Sequence, residues 1–216
     1  MTSNLFSILM AVYKNDDPKL FHLALESVFS NTIQPQKLVL VGDGYLSEDL
    51  LNVIKFFSDN KALYFIQLKK NVGLAKALNF GLQHISTKYT FRADSDDINS
   101  PIRFETLLYR LEEGYDLVGS AIREVDKNRS FVAFRFVPET KIAIGKYINK
   151  RSPFNHMTVG YRTAIVVAVG GYPNIYLKED YALWATLIAN GCNVCNINKV
   201  LVDATTGADM FRRRGG

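Results

Sequence analysis

The feature that most constrains this chain is the alternation of short apolar runs with helical spacing through its first half. Residues 6–13 form an apolar run of strand length. Asp17-Pro18 then reads as an N-cap followed by proline at the first helical position. Leu20, Ala24 and Val28, with Phe21, Leu25 and Phe29 beside them, share one helical stripe. Residues 37–41 make a second strand ending in Gly42-Asp43-Gly44, and Ser47 caps a helix carrying Leu50, Leu51, Ile54 and Phe57. Residues 62–68 read as a third strand and residues 71–85 as a helix with Leu74, Leu78 and Ile85 on one side. Residues 89–93 are a fourth strand ending in Asp94-Ser95-Asp96-Asp97, and Ser100-Pro101 opens a helix with Phe104, Leu107, Leu108 and Leu111. This alternation implies right-handed crossovers and an α/β fold, a mainly parallel central sheet flanked by helices on both faces. Ligands of such sheets bind beyond the carboxyl ends of the strands, where Asp43 and residues 94–97 fall.

The second half is less regular. Residues 116–125 and 130–137 read as antiparallel strands joined by a charged turn, and residues 138–148 as a helix. A strand at 158–162, a helix at 163–169 ended by Gly170-Gly171, a helix at 178–190 stopped by Gly191 and a strand at 193–202 follow. No linker rich in Gly, Ser or Pro and no internal repeat interrupts the chain. One domain over residues 1–216 is expected, with a change of role near Ser100.

Composition narrows the class. The chain has 216 residues, 48% of them hydrophobic and 22% charged, enough for a packed core. The 26 basic residues exceed the 21 acidic ones by five, but without Arg212, Arg213 and Arg214 the balance is 23 against 21. A nearly neutral body with a basic end argues against nucleic acid and for a local anion contact, a phosphate or a lipid surface. The longest apolar run, residues 164–169, is far short of the ~20 residues that a membrane span needs. No signal-peptide pattern opens the chain. Two cysteines, Cys192 and Cys195, do not make a disulfide scaffold and fit a cytoplasmic protein. Their C-x-x-C spacing lacks the second pair of a zinc site and reads as packing.

Several clusters can carry chemistry, and each has a plain structural alternative. The D-x-D pair Asp94 and Asp96, with Ser95 and Asp97, directs carboxylates to one side, as Mg²⁺ or Mn²⁺ shared with a substrate phosphate requires; the alternative is a solvated turn capping the next helix. Its place at a strand end favours the site. Asp43 either accepts a hydrogen bond from a base or ribose or belongs to an ordinary turn. Lys76 either meets a phosphate near the exposed amides of a helix start or is a solvated lysine. Glu179 and Asp180 either complement a helix dipole or supply a general base for a sugar hydroxyl, with Tyr181 and Trp184 as stacking faces or as core. His156 either contacts an acceptor or a diphosphate or is structural. Arg212 to Arg214 either clamp a diphosphate or form a basic terminus. No G-x-G-x-x-G follows the first strand, and no P-loop is present.

Taken in order, Ser7-Ile8-Leu9-Met10-Ala11-Val12-Tyr13-Lys14-Asn15, Leu25-Glu26-Ser27-Val28-Phe29, Val41-Gly42-Asp43-Gly44, Asn71-Val72-Gly73-Leu74-Ala75, Asp94-Ser95-Asp96-Asp97 and Glu179-Asp180-Tyr181-Ala182-Leu183-Trp184 make nearly the whole chain resemble glycosyltransferase family 2, the inverting nucleotide-sugar transferases of GT-A fold. The resemblance implies a nucleotide-sugar half at residues 1–100 and an acceptor half at residues 101–216. It implies that Ala11, Val12, Tyr13 and Asp43 hold the base, with Asn71 and Gly73 nearby. Lys76 approaches the base or phosphates, Asp94 the ribose, and Ser95 lies beside it. It implies Asp96 as ligand of Mn²⁺ or Mg²⁺, Asp97 sharing the metal or orienting the sugar, and Arg212 steadying the diphosphate. Asp180 is then the catalytic base, Glu179 its helper, and His156 and Trp184 contact the acceptor.

The expected donor is a UDP-sugar, and the expected acceptor is a saccharide or a lipid-diphosphate-linked sugar. The setting is O-antigen or capsule assembly, peripheral to the cytoplasmic face of the inner membrane. Relatives of this kind often carry two aspartates where Gly42-Asp43 stands, and an arginine where Lys76 stands. The alternatives are a non-catalytic sugar- or nucleotide-binding module and a metal-dependent nucleotidyltransferase.

Overall fold

The computed structural model describes residues 5–206. In chain order its elements are β1 (Phe6–Val12), α1 (Pro18–Phe29), β2 (Lys37–Gly42), α2 (Glu48–Phe56), β3 (Leu63–Gln67), α3 (Leu74–Leu82), β4 (Tyr89–Arg92), β5 (Ile98–Asn99), α4 (Arg103–Glu112), β6 (Leu117–Val125) and β7 (Phe131–Arg135). There follow α5 (Lys141–Tyr147), a 3-10 turn (His156–Thr158), β8 (Gly160–Arg162), α6 (Thr163–Ala168), α7 (Glu179–Ala189) and β9 (Val194–Thr205). The described strands form one nine-stranded sheet in the order β3-β2-β1-β4-β8-β6-β9-β5, with β7 paired to β6. β3, β2, β1 and β4 run parallel. β8 is antiparallel to both β4 and β6, while β6 and β9 are parallel.

Strand alternation builds two apolar layers. On β1, Phe6, Ile8, Met10 and Val12 pack with Leu38 and Leu40 of β2 under α1, α2 and α4. Leu9, Val39 and Val41 point the other way, to Leu78 of α3 and to Leu183, Trp184 and Leu187 of α7. Asp17 caps α1 by accepting from Lys19 N at 2.8 Å and Leu20 N at 3.3 Å, with Pro18 at the first position. Gly81 lets α3 press onto the sheet, since a Cβ there would stand 2.5 Å from Leu9 Cδ1.

Two differences from the sequence reading bear on the site. Helix α3 starts at Leu74 rather than at residue 71, because the Asp43 carboxylate binds the backbone of Val72 and Gly73 in a loop. The two-residue β5, too short for any periodicity, ties the segment after the acidic cluster to β9.

Candidate active site

The strand order reverses between β1 and β4. The chain steps from β1 out to β2 and β3, then returns to place β4 on the other side of β1. Loops leaving the carboxyl ends of β1 and β4 therefore diverge and open a crevice. A cavity of about 780 Å³ lies there. One wall is Ala11, Val12, Tyr13 and Asp16 after β1, Asp43 after β2, residues 71–75 entering α3, and Arg92, Asp94, Ser95 and Asp96 at and after β4. The facing wall is Asn174, Ile175, Tyr176, Leu177 and Glu179, at the entry to α7.

Hydrogen bonds stiffen the first wall. The buried Asp43 carboxylate accepts from Val72 N at 2.7 Å and Gly73 N at 3.0 Å, which binds the β2 loop to the start of α3. Gly44 permits this approach: its φ is +89°, and a Cβ there would meet Asn71 N at 2.6 Å. The Ser95 hydroxyl donates to Asp16 Oδ2 at 2.7 Å, and Tyr13 N donates to the same oxygen at 3.1 Å, so the loops after β1 and β4 share one carboxylate. The buried Arg92 guanidinium pairs with Asp94 and donates to the Leu9 carbonyl at 3.0 Å.

Four carboxylates (Asp16, Asp43, Asp94 and Asp96) and one guanidinium thus stand on the first wall of the cavity. Burial, then the charges of Asp94 and Asp16, pushes the Asp96 carboxyl up to about 7. Burial also raises Asp16. Among the described residues no three His, Cys, Asp or Glu side chains converge into a closed metal site. An oxygen-rich wall with surplus negative charge fits a hard divalent cation that takes one or two carboxylates and completes its shell with diphosphate oxygens and water.

On the facing wall, α7 begins with Glu179 and Asp180 in its first turn. Glu179 lines the cavity and Asp180 stands beside it. Burial pushes the Asp180 carboxyl up to about 6; the Tyr181 backbone hydrogen bond opposes this, while the charges of Glu179 and, more weakly, Asp94 add to it. The preceding loop presents an exposed Tyr176, 86% accessible, and holds Leu177 at a φ of 58°, a left-handed conformation that costs a leucine strain.

The cavity collects Ala11, Val12, Tyr13, Asp43, Asn71, Gly73, Asp94, Ser95, Asp96 and Glu179 from the residues singled out in the sequence. Others lie elsewhere. Trp184 is fully buried among Phe154, His156 and Tyr172, so its indole has no face to offer an acceptor. His156 packs against Tyr172 and Trp184 outside the cavity lining; burial, then the charge of Arg92, lowers its pKa to about 3 and keeps it neutral. Asp97 is buried and lies off the cavity lining, with its Oδ1 turned to β9, where it accepts from Thr205 N at 2.8 Å. Burial, then Asp96 and Asp94, holds its pKa well above the carboxylate range. Lys76 is exposed on the first turn of α3 and does not line the cavity. Arg212 lies outside the described residues. The residues that sequence reasoning missed are Asp16, Arg92 and the wall 174–177. Arg92 had a signal, a charge inside an apolar strand.

Comparison with known proteins places these features. A family model described as "Glycosyl transferase family 2" matches residues 7–169. The chain is 39% identical over 213 residues to an Escherichia coli UDP-Gal:alpha-D-GlcNAc-diphosphoundecaprenol beta-1,3-galactosyltransferase, covering 98% of this chain and 78% of that protein. It is 34% identical over 214 residues to the amylovoran biosynthesis glycosyltransferase AmsE of Erwinia amylovora, covering 98% and 80%. In three dimensions it is similar to S. aureus TarS 1-349 in complex with UDP, with a TM-score of 0.76, 20% identity, and coverage of 97% of this chain and 62% of that one. It is also similar to the mannosyltransferase PcManGT of Pyrobaculum calidifontis in complex with GDP-Man and Mn²⁺, with a TM-score of 0.72, 13% identity, and coverage of 97% and 59%. The chain spans less than two thirds of the length of these two structures. The fold is GT-A.

Proposed function

The chain belongs to glycosyl transferase family 2, and from that premise we propose that it moves a sugar from a UDP-sugar, with inversion, onto a lipid-diphosphate-linked saccharide in bacterial surface polysaccharide assembly. The observation that carries this function is the two-walled cavity. The acidic first wall, at the point where the strand order reverses, faces a second wall that carries Glu179, and Asp180 follows it in the first turn of α7. The relative acting on a diphosphoundecaprenol-linked sugar supports the acceptor class, and the similar UDP complex supports the donor base.

On this proposal the loops after β1 and β2, with residues 71–73, hold the base, and Asp94 and Ser95 the ribose. Asp96 would hold a divalent cation, which when bound would neutralise charge on the leaving diphosphate. Lys76 and Arg212 remain proposed diphosphate partners. Asp180 takes the proton of the attacking acceptor hydroxyl, and its raised pKa makes it a better base than an ordinary carboxylate. Glu179, on the wall itself, contacts the acceptor. Tyr176 offers the exposed aromatic face that Trp184 does not. Attack from this wall, opposite the diphosphate, inverts the anomeric carbon. Holding the two partners in line supplies much of the acceleration. Residues 1–216 act as one catalytic domain. No described helix is long and apolar enough to cross a membrane, and we place the enzyme at the cytoplasmic face through its acceptor.

The test is a donor screen with UDP-glucose, UDP-galactose, their N-acetyl forms and GDP-mannose. The acceptor is a synthetic N-acetylglucosamine-diphosphate-lipid, with Mn²⁺ present, and products are read by mass and by anomeric proton coupling. The expected result is a hexose or N-acetylhexosamine adduct of inverted configuration, lost in Asp180→Asn with UDP binding kept. Pyrophosphate release from a nucleoside triphosphate, or donor binding without transfer, would replace it with a nucleotidyltransferase or a binding module.

A further inference from the structure

Three phenylalanines stand on the solvent side of β7: Phe131 is 59% exposed, Phe134 55% and Phe136, just beyond the strand, 58%. Their rings touch in a row, with centroids 5.0 Å apart between Phe131 and Phe134 and 6.2 Å between Phe134 and Phe136. Regular alternation would send Phe131 and Phe134 to opposite faces. A bulge prevents this: Val125 pairs with Phe131 and Glu124 with Ala133, which leaves Val132 without an opposite residue and returns the aromatics to one side. Soluble surfaces rarely carry contiguous apolar strips without a partner.

Two further features say what covers this strip. The exposed charges of the hairpin itself, Arg123 opposite Phe134 and Lys127 in the turn, are both basic, while Glu139, three residues after Phe136, is an exposed acid. The other acids nearby are buried or half-buried: Glu124, Asp126, and Asp203, which Arg123 and Arg129 bind. The hairpin is also fastened to the acidic first wall. Arg129 Nη1 donates to Thr205 Oγ1 at 3.0 Å, Thr205 N donates to Asp97 Oδ1 at 2.8 Å, and the Thr205 hydroxyl donates to the Asp96 carbonyl. The strip therefore keeps a fixed place relative to Asp96.

We propose that the strip formed by Phe131, Phe134 and Phe136 docks the protein on an anionic lipid bilayer, with the rings in the interface and two sources of positive charge toward lipid phosphates: Lys127, and the one net charge that Arg123 and Arg129 keep against Asp203. Its purpose rests on the lipid-linked acceptor proposed above: docking through a hairpin tied to Asp96 holds the cavity at a set distance from the membrane surface.

The test needs no sugar. The full chain is sedimented with phosphatidylethanolamine–phosphatidylglycerol vesicles and with pure phosphatidylcholine vesicles. Binding is expected on the anionic vesicles, weakening as salt rises, and falling at least about tenfold in the combined variant Phe131→Ser, Phe134→Ser, Phe136→Ser. An unchanged melting curve and unchanged UDP affinity verify that this variant keeps its fold. Vesicle binding equal in variant and parent, or no binding by the parent, overturns the proposal. So does a parent dimer that the variant dissolves in sedimentation equilibrium while lipid has no effect, because the strip then covers a second copy. If vesicle binding behaves as expected but the parent transfers no sugar, docking stands and the proposed transferase reaction fails.

Discussion

Arg92 and Asp94 form an ion pair at the carboxyl end of β4, with the guanidinium buried and the carboxylate open to the cavity. Arg92 also donates to Leu9 O at 3.0 Å on the neighbouring strand. One side chain thereby fixes Asp94 to β1 and balances the acids around it. Arg92→Met leaves a partly buried carboxylate uncompensated and is expected to cost about 3 kcal/mol in urea unfolding. Arg92→Lys keeps the charge and loses the fork, so it is expected to fall between variant and parent. Equal unfolding midpoints for all three proteins would refute this role.

Asp43 is expected to matter through the loop it holds. Its carboxylate accepts two backbone N–H groups, at 2.7 and 3.0 Å. Hydrogen bonds to a charged acceptor contribute about 1.5–3 kcal/mol, so Asp43→Ala is expected to lose about 2 kcal/mol of stability. It also frees residues 71–73 from the cavity wall. Calorimetric titration with UDP is expected to weaken at least about tenfold, with Asp43→Asn less affected because one acceptor oxygen remains.

Asp96 is expected to be a stability liability in the metal-free protein. Its carboxyl rises from 3.8 to about 7 on folding. The native state then binds more protons than the unfolded chain between those values, so its contribution worsens as pH rises through that window. Asp96→Asn removes the penalty. The variant is expected to be about 2 kcal/mol more stable than the parent at pH near 8, with the difference gone below pH about 4. Mn²⁺ is expected to raise the melting temperature of the parent and not of the variant. A variant less stable than the parent at alkaline pH contradicts this account.

Asp180 is expected to set the acid limb of the rate profile. A base must be ionised to accept a proton, and this carboxyl titrates at about 6. Activity therefore falls as pH drops through that value, about tenfold per unit below it, with substrate saturating. Asp180→Asn is expected to lose at least about 100-fold in kcat with the UDP affinity intact. A limb unchanged in Asp180→Glu but shifted in Glu179→Asp would move the role of base to Glu179.

Tyr176 and Trp184 are expected to separate surface from core. Tyr176→Ala raises the acceptor KM at least about fivefold while the donor KM and melting temperature hold. Trp184→Ala opens a void among Phe154, Tyr172 and Leu187 and is expected to cost about 4 kcal/mol. The reverse pattern would put the acceptor against Trp184.

The sequence reading succeeds where structure is local. Residues 6–112 alternate as the spacing of their apolar residues requires, and both acidic turns stand at strand ends. The place of Asp96 on the cavity was legible because its turn follows the fourth strand of an alternating sheet, where ligand crevices open. Trp184 was not, because α7 carries Ala182, Leu183, Trp184, Ala185, Leu187 and Ile188, and a helix apolar on so many sides does not announce which face it buries. Arg92 escaped because its burial against β1, where it donates to the Leu9 carbonyl, depends on a strand more than eighty residues back. The place of Asp97 off the cavity lining was not legible, because the β9 residue that binds its Oδ1, Thr205, lies more than a hundred residues on.

By itself the sequence determined the strand–helix rhythm, the α/β class and the two acidic turns, since each follows from dihedral preference and spacing within a few residues. Only the tertiary structure decided that Glu179 reaches the cavity wall while Trp184 is sealed, and that burial beside Asp94 and Asp16 pushes the Asp96 carboxyl up. It alone lined up three phenylalanines on one face. The reason is physical: side-chain direction and dielectric surroundings are set by groups far away along the chain, and no local pattern encodes which of them arrive.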